Sequence, residues 1–474
     1  MQRACVIGSG PNGLAAAIVL AQAGLRVEVF EAEAEPGGAA RSLPLTLPGF
    51  LHDFGSAVHP LACGSPFFTT LPLENYGLEW AHGDAPLAHP LDDGSAVTIE
   101  RDLDANEPAL GPDGKSWRRL VEPAALHWKQ FAEDVFAPLL RVPRHPLLMA
   151  RFGLTALHSA QTLVRSHFSG ARARAVFAGL AGHSFLGMDQ LLSGPIGLMF
   201  AASLHAVGWP SPRRGARAIS HALIGYLESL GGVVHTSRRV DAALFHELAA
   251  GSALLMCDLA PRQLLALAGG QFTAGYRSAL GNFRPGPGAF KVDYALSEPV
   301  PWRAAECRRA IAVHLGATFE EIAAAENAVI HGREAERPFV LAAQPTLFDP
   351  ARAPRGKHVL WTYCHVPNGS PADMTERIEA QIERFAPGFR DCVLARHVST
   401  PAVLESMDAN LAGGDISGGA ISMGQMLMRP TLRGYATSHP KIYLCSASTP
   451  PGAGVHGMCG YHAARLAVRR LHAQ

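Results

Sequence analysis

The chain opens on a short apolar run, Ala4-Cys5-Val6-Ile7, which predicts a buried strand. Leu14, Ile18 and Ala21 then fall on one side of a helix that ends at Gly24, and Arg26 to Phe30 reads as a second strand with Glu31 at its carboxyl end. The same alternation returns twice. Ile219, Leu223, Tyr226, Leu227 and Leu230 recur at helical spacing until Gly231-Gly232; Val233-Val234-His235 is a strand, with Val240 after it. Ala253 to Met256 is a buried strand ending at Asp258, and Pro261 opens another helix. At the far end Ile442 to Ala447 reads as a strand, followed by a glycine-rich turn and a helix through Ala463, Leu466 and Val468.

Between these units the pattern changes. Phe67 to Leu78 and Leu91 to Ile99 read as loop and hairpin, with Asp92-Asp93-Gly94 as a turn. Trp117 to Leu204 is mostly helical. Lys291 to Leu296 alternates, with Val292, Tyr294 and Leu296 on one face, which predicts an antiparallel sheet with one covered side. His358 to Val366 is a further strand and Met374 to Ala386 a helix. The glycines at 413, 414, 418, 419 and 424 suit either close backbone approach to a cofactor or a flexible loop.

The turns carry the chemistry. Gly8-Ser9-Gly10-Pro11-Asn12-Gly13 is a complete G-x-G-x-x-G between a strand and a helix. Gly8 permits the tight turn, Gly10 lets a pyrophosphate approach the backbone, and Gly13 lets the helix pack on the sheet. The helix N-terminus offers free N–H groups and partial positive charge to phosphate. Glu31 lies 18 residues past Gly13, where an acid accepts hydrogen bonds from a ribose. Its charge also disfavours a 2′-phosphate, and hence NADP. Gly37-Gly38 and Arg41 extend the motif and resemble the start of FAD-containing oxidoreductases of the glutathione-reductase-type fold. On that resemblance the cofactor is FAD.

Composition then limits the alternatives. At 48% hydrophobic and 17% charged the 474-residue chain is globular, with room for several lobes. A net charge of +1 gives no basis for nucleic-acid binding. The eight cysteines form no C-x-x-C pair, against a redox dithiol or a zinc ribbon. Cys459, beside the last glycine turn, reads either as a thiol near the cofactor or as a packed helix residue. The first strand starts too near Met1 for a signal peptide, and no apolar stretch is long enough to span a bilayer, so a cytoplasmic location is expected. Between Asp134 and Asp189 there is no acid, while Arg141, Arg144, Arg151, Arg165, Arg172 and Arg174 occur among many leucines. That stretch suits either a peripheral membrane contact and tunnel mouth or a helical cap with solvated arginines.

Taken together, VIGSGPNGLAAAIVLAQAG, EAEAEPGGAARS, DFGSAVHP and STPPGAGVHGMCGYHAA resemble the phytoene dehydrogenase-like family of FAD-dependent oxidoreductases, as do PFVLAAQPTLFDP and LWTYCHVP. The resemblance implies an α/β fold with a Rossmann-type FAD domain in discontinuous segments. It also implies an α+β substrate domain with an antiparallel sheet and a helical cap. The expected division is 1–66, 211–284 and 426–474 for the FAD domain, 67–210 for the cap region and 285–425 for the substrate sheet. Expected FAD contacts are Gly8, Gly10, Pro11, Asn12, Gly13, Glu31, Ala32, Gly38 and Arg41 at the first turn, then Gly55, Ser56 and Ala57. Val240, Ser446, Gly454, Val455, His456, Gly457 and Met458 complete the set. His456 stands where carotenoid desaturases carry a proline-type residue, and Ser446-Ala447-Ser448 stands where many flavin relatives bind ribitol with an acid.

The implied chemistry is hydride transfer from a hydrophobic small molecule to flavin N5 by a dehydrogenase or desaturase. With one dinucleotide fingerprint, the expected electron acceptor is oxygen or a quinone. His456 and His59 are the candidate acid–base groups, each with the alternative of a loop histidine bonding backbone or cofactor. The rival readings are a redox-neutral isomerase or saturase using reduced FAD, and a non-catalytic flavoprotein.

Overall fold

The computed structural model describes residues 2–473. Two large sheets carry the chain. In chain order their strands are β1 (Arg3–Ile7), β2 (Arg26–Phe30), β3 (Ala85–Pro90), β4 (Ala96–Ile99), β5 (Val233–His235), β6 (Leu254–Cys257), β7 (Gly288–Leu296), β8 (Ala310–Leu315), β9 (Val340–Ala343), β10 (His358–Val366), β11 (Val393–Ser399) and β12 (Ile442–Leu444).

The first sheet has the order β12-β6-β1-β2-β5 and is parallel throughout. Its strands come from the start, the middle and the end of the chain. A parallel sheet needs cover on both faces, which is why these strands are apolar runs. Ala4, Val6 and Met256 pack on one side with Leu14 and Ile18 of the helix Pro11–Gln22 and Ala463 and Ala467 of the helix Met458–His472. Cys5, Ile7 and Leu255 pack on the other with Phe245, Leu264 and Tyr276.

The two terminal glycine turns meet on this sheet. A Cβ on Gly460 would lie 1.8 Å from the carbonyl oxygen of Asn12, so the first and last helices touch backbone to backbone there. A Cβ on Gly13 would lie 2.2 Å from the Gly8 carbonyl oxygen, and Gly8 itself holds φ +96°. Both positions admit only glycine, one for close approach and one for conformation.

The second sheet has the order β11-β7-β10-β9-β8-β3-β4. All its pairs are antiparallel except β8 with β3. The β3–β4 hairpin closes through Leu91 and Ser95, with Gly94 at φ +85°. Alternation along β7 places Phe290, Val292, Tyr294 and Leu296 against Ile378, Ile382 and Phe385 of the helix Thr375–Phe385. The expectation of one covered side is corrected here: all nine residues of β7 are buried. The opposite, more polar face is covered as well, by the interior of the molecule, and forms the wall of a cavity.

A helical layer stands over that cavity. Its helix Pro146–Ala156 has no buried residue, and Leu147, Leu154 and Leu157 are 88%, 71% and 70% exposed. The arginines of this layer do not form one solvated face. Arg172 donates to the Ala109 and Ala96 carbonyls, Arg174 to that of Phe168, and Arg141 pairs with Asp134 at 2.6 Å. Charge spacing alone does not reveal which guanidinium groups the fold consumes. Among the described residues no helix is long and apolar enough to cross a membrane.

Candidate active site

One cavity of about 1450 Å³ runs from the first glycine turn to the polar face of the second sheet. That exceeds the usual volume of a small-molecule pocket and leaves room for a dinucleotide and a second molecule. The structure brings Gly8, Gly10, Pro11, Asn12, Glu31, Ala32, Gly38, Arg41, Gly55, Ser56, Val240, Ser446, Gly454, Val455, His456 and His59 together on its wall. Four predicted contacts stand behind it. Gly13 packs on Gly8, Ala57 is fully buried, Gly457 caps the last helix at φ +69° against Phe68, and the Met458 amide donates to His456 Nδ1 at 3.0 Å.

The cleft end fits a dinucleotide. The first-turn amide of Asn12 makes no hydrogen bond within the described residues, as helix geometry leaves it. Asn12 Oδ1 and His59 Nε2 are buried without a partner. A Cβ on Gly38 would lie 3.1 Å from the Gly10 Cα, so the glycine pair brings two backbones together beside the turn. Arg41 is held by the Gly38 and Met407 carbonyls, which aims its guanidinium along the cleft wall. Glu31 accepts from the Ser9 amide at 2.9 Å and its hydroxyl at 2.6 Å, and from the Glu33 amide at 2.9 Å. Ser446 Oγ is already committed, to the Leu259 carbonyl and to Ser448, both at 2.7 Å.

Asp258 is an unforeseen member of this end. It follows β6, and its Oδ2 accepts the Gly13 amide at 2.9 Å. Burial, with Asp408 and Glu31 nearby, pushes its carboxyl up to about 7. The sequence signal was the acid at the end of a buried parallel strand, where ligands gather in α/β sheets.

The two histidines foreseen as acid–base groups both reach the cavity. Burial lowers each to about 4, so both are neutral imidazoles at neutral pH. His456 Nδ1 is spent on the Met458 amide, and its ring lies against Phe136 at 5.1 Å. His59 Nδ1 meets Ser56 Oγ at 3.4 Å. Cys459 is a packed helix thiol: its Sγ faces the Thr449 and Gly452 carbonyls, and burial pushes it up to about 11.

The other end of the cavity was not legible as a site. Lys291 and Asp293 alternate onto the polar face of β7 and pair with each other, and Lys291 lies 5.9 Å from the Trp361 ring centre. Burial pushes both toward their neutral forms. Trp361 Nε1 donates to the Gly55 carbonyl at 2.7 Å, tying this wall to the loop Asp53–His59. Buried Arg352 locks the same loop by pairing with Asp53 and with Asp349. Registry then sets Lys291 opposite Tyr363, Tyr363 opposite Leu341, and Leu341 opposite His314, in one row across four strands. Phe136, Met149, Phe152, Phe185, Phe200 and Trp209 close the chamber above this row.

Comparison with known proteins agrees with this construction. Residues 6–66 match the NAD(P)-binding Rossmann-like domain family. Pyridine nucleotide-disulfide oxidoreductase domain-containing protein 2 of Rattus norvegicus is 25% identical over 99% of this chain and 93% of its own length. Hydroxyneurosporene desaturase of Rhodobacter capsulatus is 35% identical over 28% of each chain. The crystal structure of an oxidoreductase from Methanosarcina mazei superposes with a TM-score of 0.61 at 18% identity, covering both chains in full, which bears on the fold alone. With its parallel sheet built from three separate segments and its paired terminal glycine turns, the chain is similar over nearly its whole length to that oxidoreductase domain-containing protein, and over about a quarter of it to the desaturase.

Proposed function

We propose that the protein is an FAD-dependent dehydrogenase or desaturase that oxidises a hydrophobic small molecule. The observation that carries this reading is continuity: the dinucleotide cleft and the aromatic chamber are one cavity. FAD, when bound, supplies the acceptance of a hydride from a C–H bond. The Asn12 amide, the adjoining glycine backbone and Arg41 would hold its diphosphate, and Glu31 its ribose. The chamber walls orient the substrate and keep water out. His59, neutral and with Nε2 unpartnered, is the group on this wall suited to accept a proton; His456 donates only through Nε2, because Nδ1 caps a helix.

We further propose oxygen or a quinone as the electron acceptor, since the one dinucleotide fingerprint in the sequence is assigned to FAD. Leu139, Met149 and Phe152 line the cavity while Leu147 and Leu154 stand exposed beside them. A lipid surface is therefore the proposed source of substrate.

The test is anaerobic reduction. Protein reconstituted with FAD is mixed with a panel of isoprenoid and long-chain alcohols and alkenes. Bleaching of the visible flavin absorbance, reversed by air or a quinone, is the expected result. Protein that takes up no FAD, or product that forms only after prior reduction of the flavin and without net oxidant, overturns the reading.

A further inference from the structure

The chamber is apolar on most of its wall, but at the end of the Lys291–Tyr363–Leu341–His314 row two imidazoles meet. His183 follows the helix Ala171–Gly182, and His314 lies on the cavity face of β8. Their Nε2 atoms are 3.2 Å apart. Two imidazole nitrogens at that distance share one proton, so at least one ring is neutral and one Nε2 donates to the other.

The surroundings decide the charge. His314 is 1% exposed, stacked edge-on to Trp209 and Phe339 with centroids at 5.6 and 5.4 Å. His183 lies against Phe200 at 4.7 Å and Trp209 at 5.2 Å. The Trp209 indole N–H is committed to Ser203 Oγ at 3.0 Å. Among the described residues no carboxylate pairs with either ring; the nearby His365 is itself bound to Glu326 at 2.8 Å and lies against Phe185. Burial therefore holds both rings neutral, with His183 at about 3.

The two outer nitrogens differ. His314 Nδ1 is buried without a partner and faces Gly179, where a Cβ would sit 2.6 Å away. It is sealed from any ligand. His183 remains partly accessible and lines the cavity, and its Nδ1 makes no hydrogen bond within the described residues. With each neutral ring carrying one proton, His183 Nδ1 accepts where His183 Nε2 is the donor of the pair and donates where His314 Nε2 is; the two arrangements are opposite tautomers of both rings, and neither carries charge.

Resting on the reading of the chamber as a substrate site, we propose that the His183–His314 pair is a polar anchor. It receives one uncharged oxygen function, a hydroxyl or a carbonyl, on an otherwise hydrophobic substrate. The row from Lys291 to His314 spans three strand spacings, roughly 14 Å. Lys291 stands at the end tied to the Asp53–His59 loop, so the anchored oxygen lies about that far from the wall beside the cofactor cleft. An ammonium or a carboxylate finds no counter-charge at the pair and carries its full desolvation cost.

The experiment is equilibrium binding to the FAD-reconstituted protein, followed by quenching of tryptophan fluorescence. The probes are a long-chain alkane and the primary alcohol, methyl ketone and primary amine of the same chain length. The alcohol and the ketone should bind about tenfold more tightly than the alkane, and the amine no more tightly. His183→Leu should erase the tenfold preference while leaving alkane binding in place, and His183→Gln should restore part of it. Equal binding of alkane and alcohol by the parent protein, a preference that survives in His183→Leu, or tightest binding of the amine overturns the anchor while the apolar chamber stands. Failure of every probe, the alkane included, overturns the chamber reading together with the anchor.

Discussion

At the scale of single residues, Asp258 shows what burial beside other acids does to a carboxyl group. Its carboxylate accepts the Gly13 amide, yet burial beside Asp408 and Glu31 raises its pKa to about 7. The folded protein therefore binds this proton more tightly than the unfolded chain does. Stability from it is present at low pH and is lost as pH climbs from the ordinary carboxylate range through about 7. Asp258→Asn keeps an oxygen for the Gly13 amide and removes the ionisation. The variant should be more stable than the parent at about pH 8, by about 4 kcal/mol, and close to it at about pH 4. Thermal unfolding at both pH values checks this. FAD affinity should follow the same sign, because an ionised Asp258 repels a diphosphate: the parent weakens above pH 7 and the variant does not. A parent whose FAD affinity is level across that range contradicts the assignment of Asp258 to the diphosphate end.

At the scale of elements, the decisive contact is the crossing of the first and last helices. Gly460 faces the Asn12 carbonyl with no space for a methyl group. Gly460→Ala must push the helix Met458–His472 off the sheet, with a cost of about 3 kcal/mol or more. The denaturant midpoint should fall, and FAD uptake should fall with it, since the turn leading into this helix carries the Gly454–His456 wall. Gly24→Ala is the control: that glycine has open space around it and strains only its own φ of +83°. An unchanged midpoint in Gly460→Ala would mean that the two helices do not meet at this spacing. The strand β7 makes a complementary point. Its alternation was plain in the sequence, but the chemistry of its polar face was not. A lysine and an aspartate two residues apart read as a solvated edge unless something covers them.

At the scale of the whole molecule, the exposed leucines of the helix Pro146–Ala156 sit over the chamber, and the arginines nearest them divide into two sets. Arg141 and Arg172 are consumed by the fold. Arg151, on the same helix as Leu147 and Leu154, and Arg165, on the following helix Ala160–His167, are exposed. If this face meets lipid, Leu147→Ser with Leu154→Ser should reduce sedimentation with anionic vesicles by about tenfold, and Arg151→Gln with Arg165→Gln by about tenfold at low salt. Thermal stability should not change, because none of these side chains is buried. Equal sedimentation of parent and variants removes the membrane from the account and leaves the helix as a cap.

The amino-acid sequence by itself determined the strand–turn–helix units at residues 3–41, 217–268 and 442–472 and picked out most of the residues that line the glycine-turn end of the cavity. Those features are local: a glycine at positive φ, an apolar run and a helix start are each set within a few residues. The tertiary structure alone decided which polar groups share the chamber. Lys291 is interior because its strand faces the cavity, and Asp293 because the segment carrying His52 and Asp53 packs against it. His183 and His314, 131 positions apart, became a pair only through the packing of the helix Ala171–Gly182 on β8. Strand registry and the covering of a face are long-range properties, and no spacing within one stretch of chain encodes them.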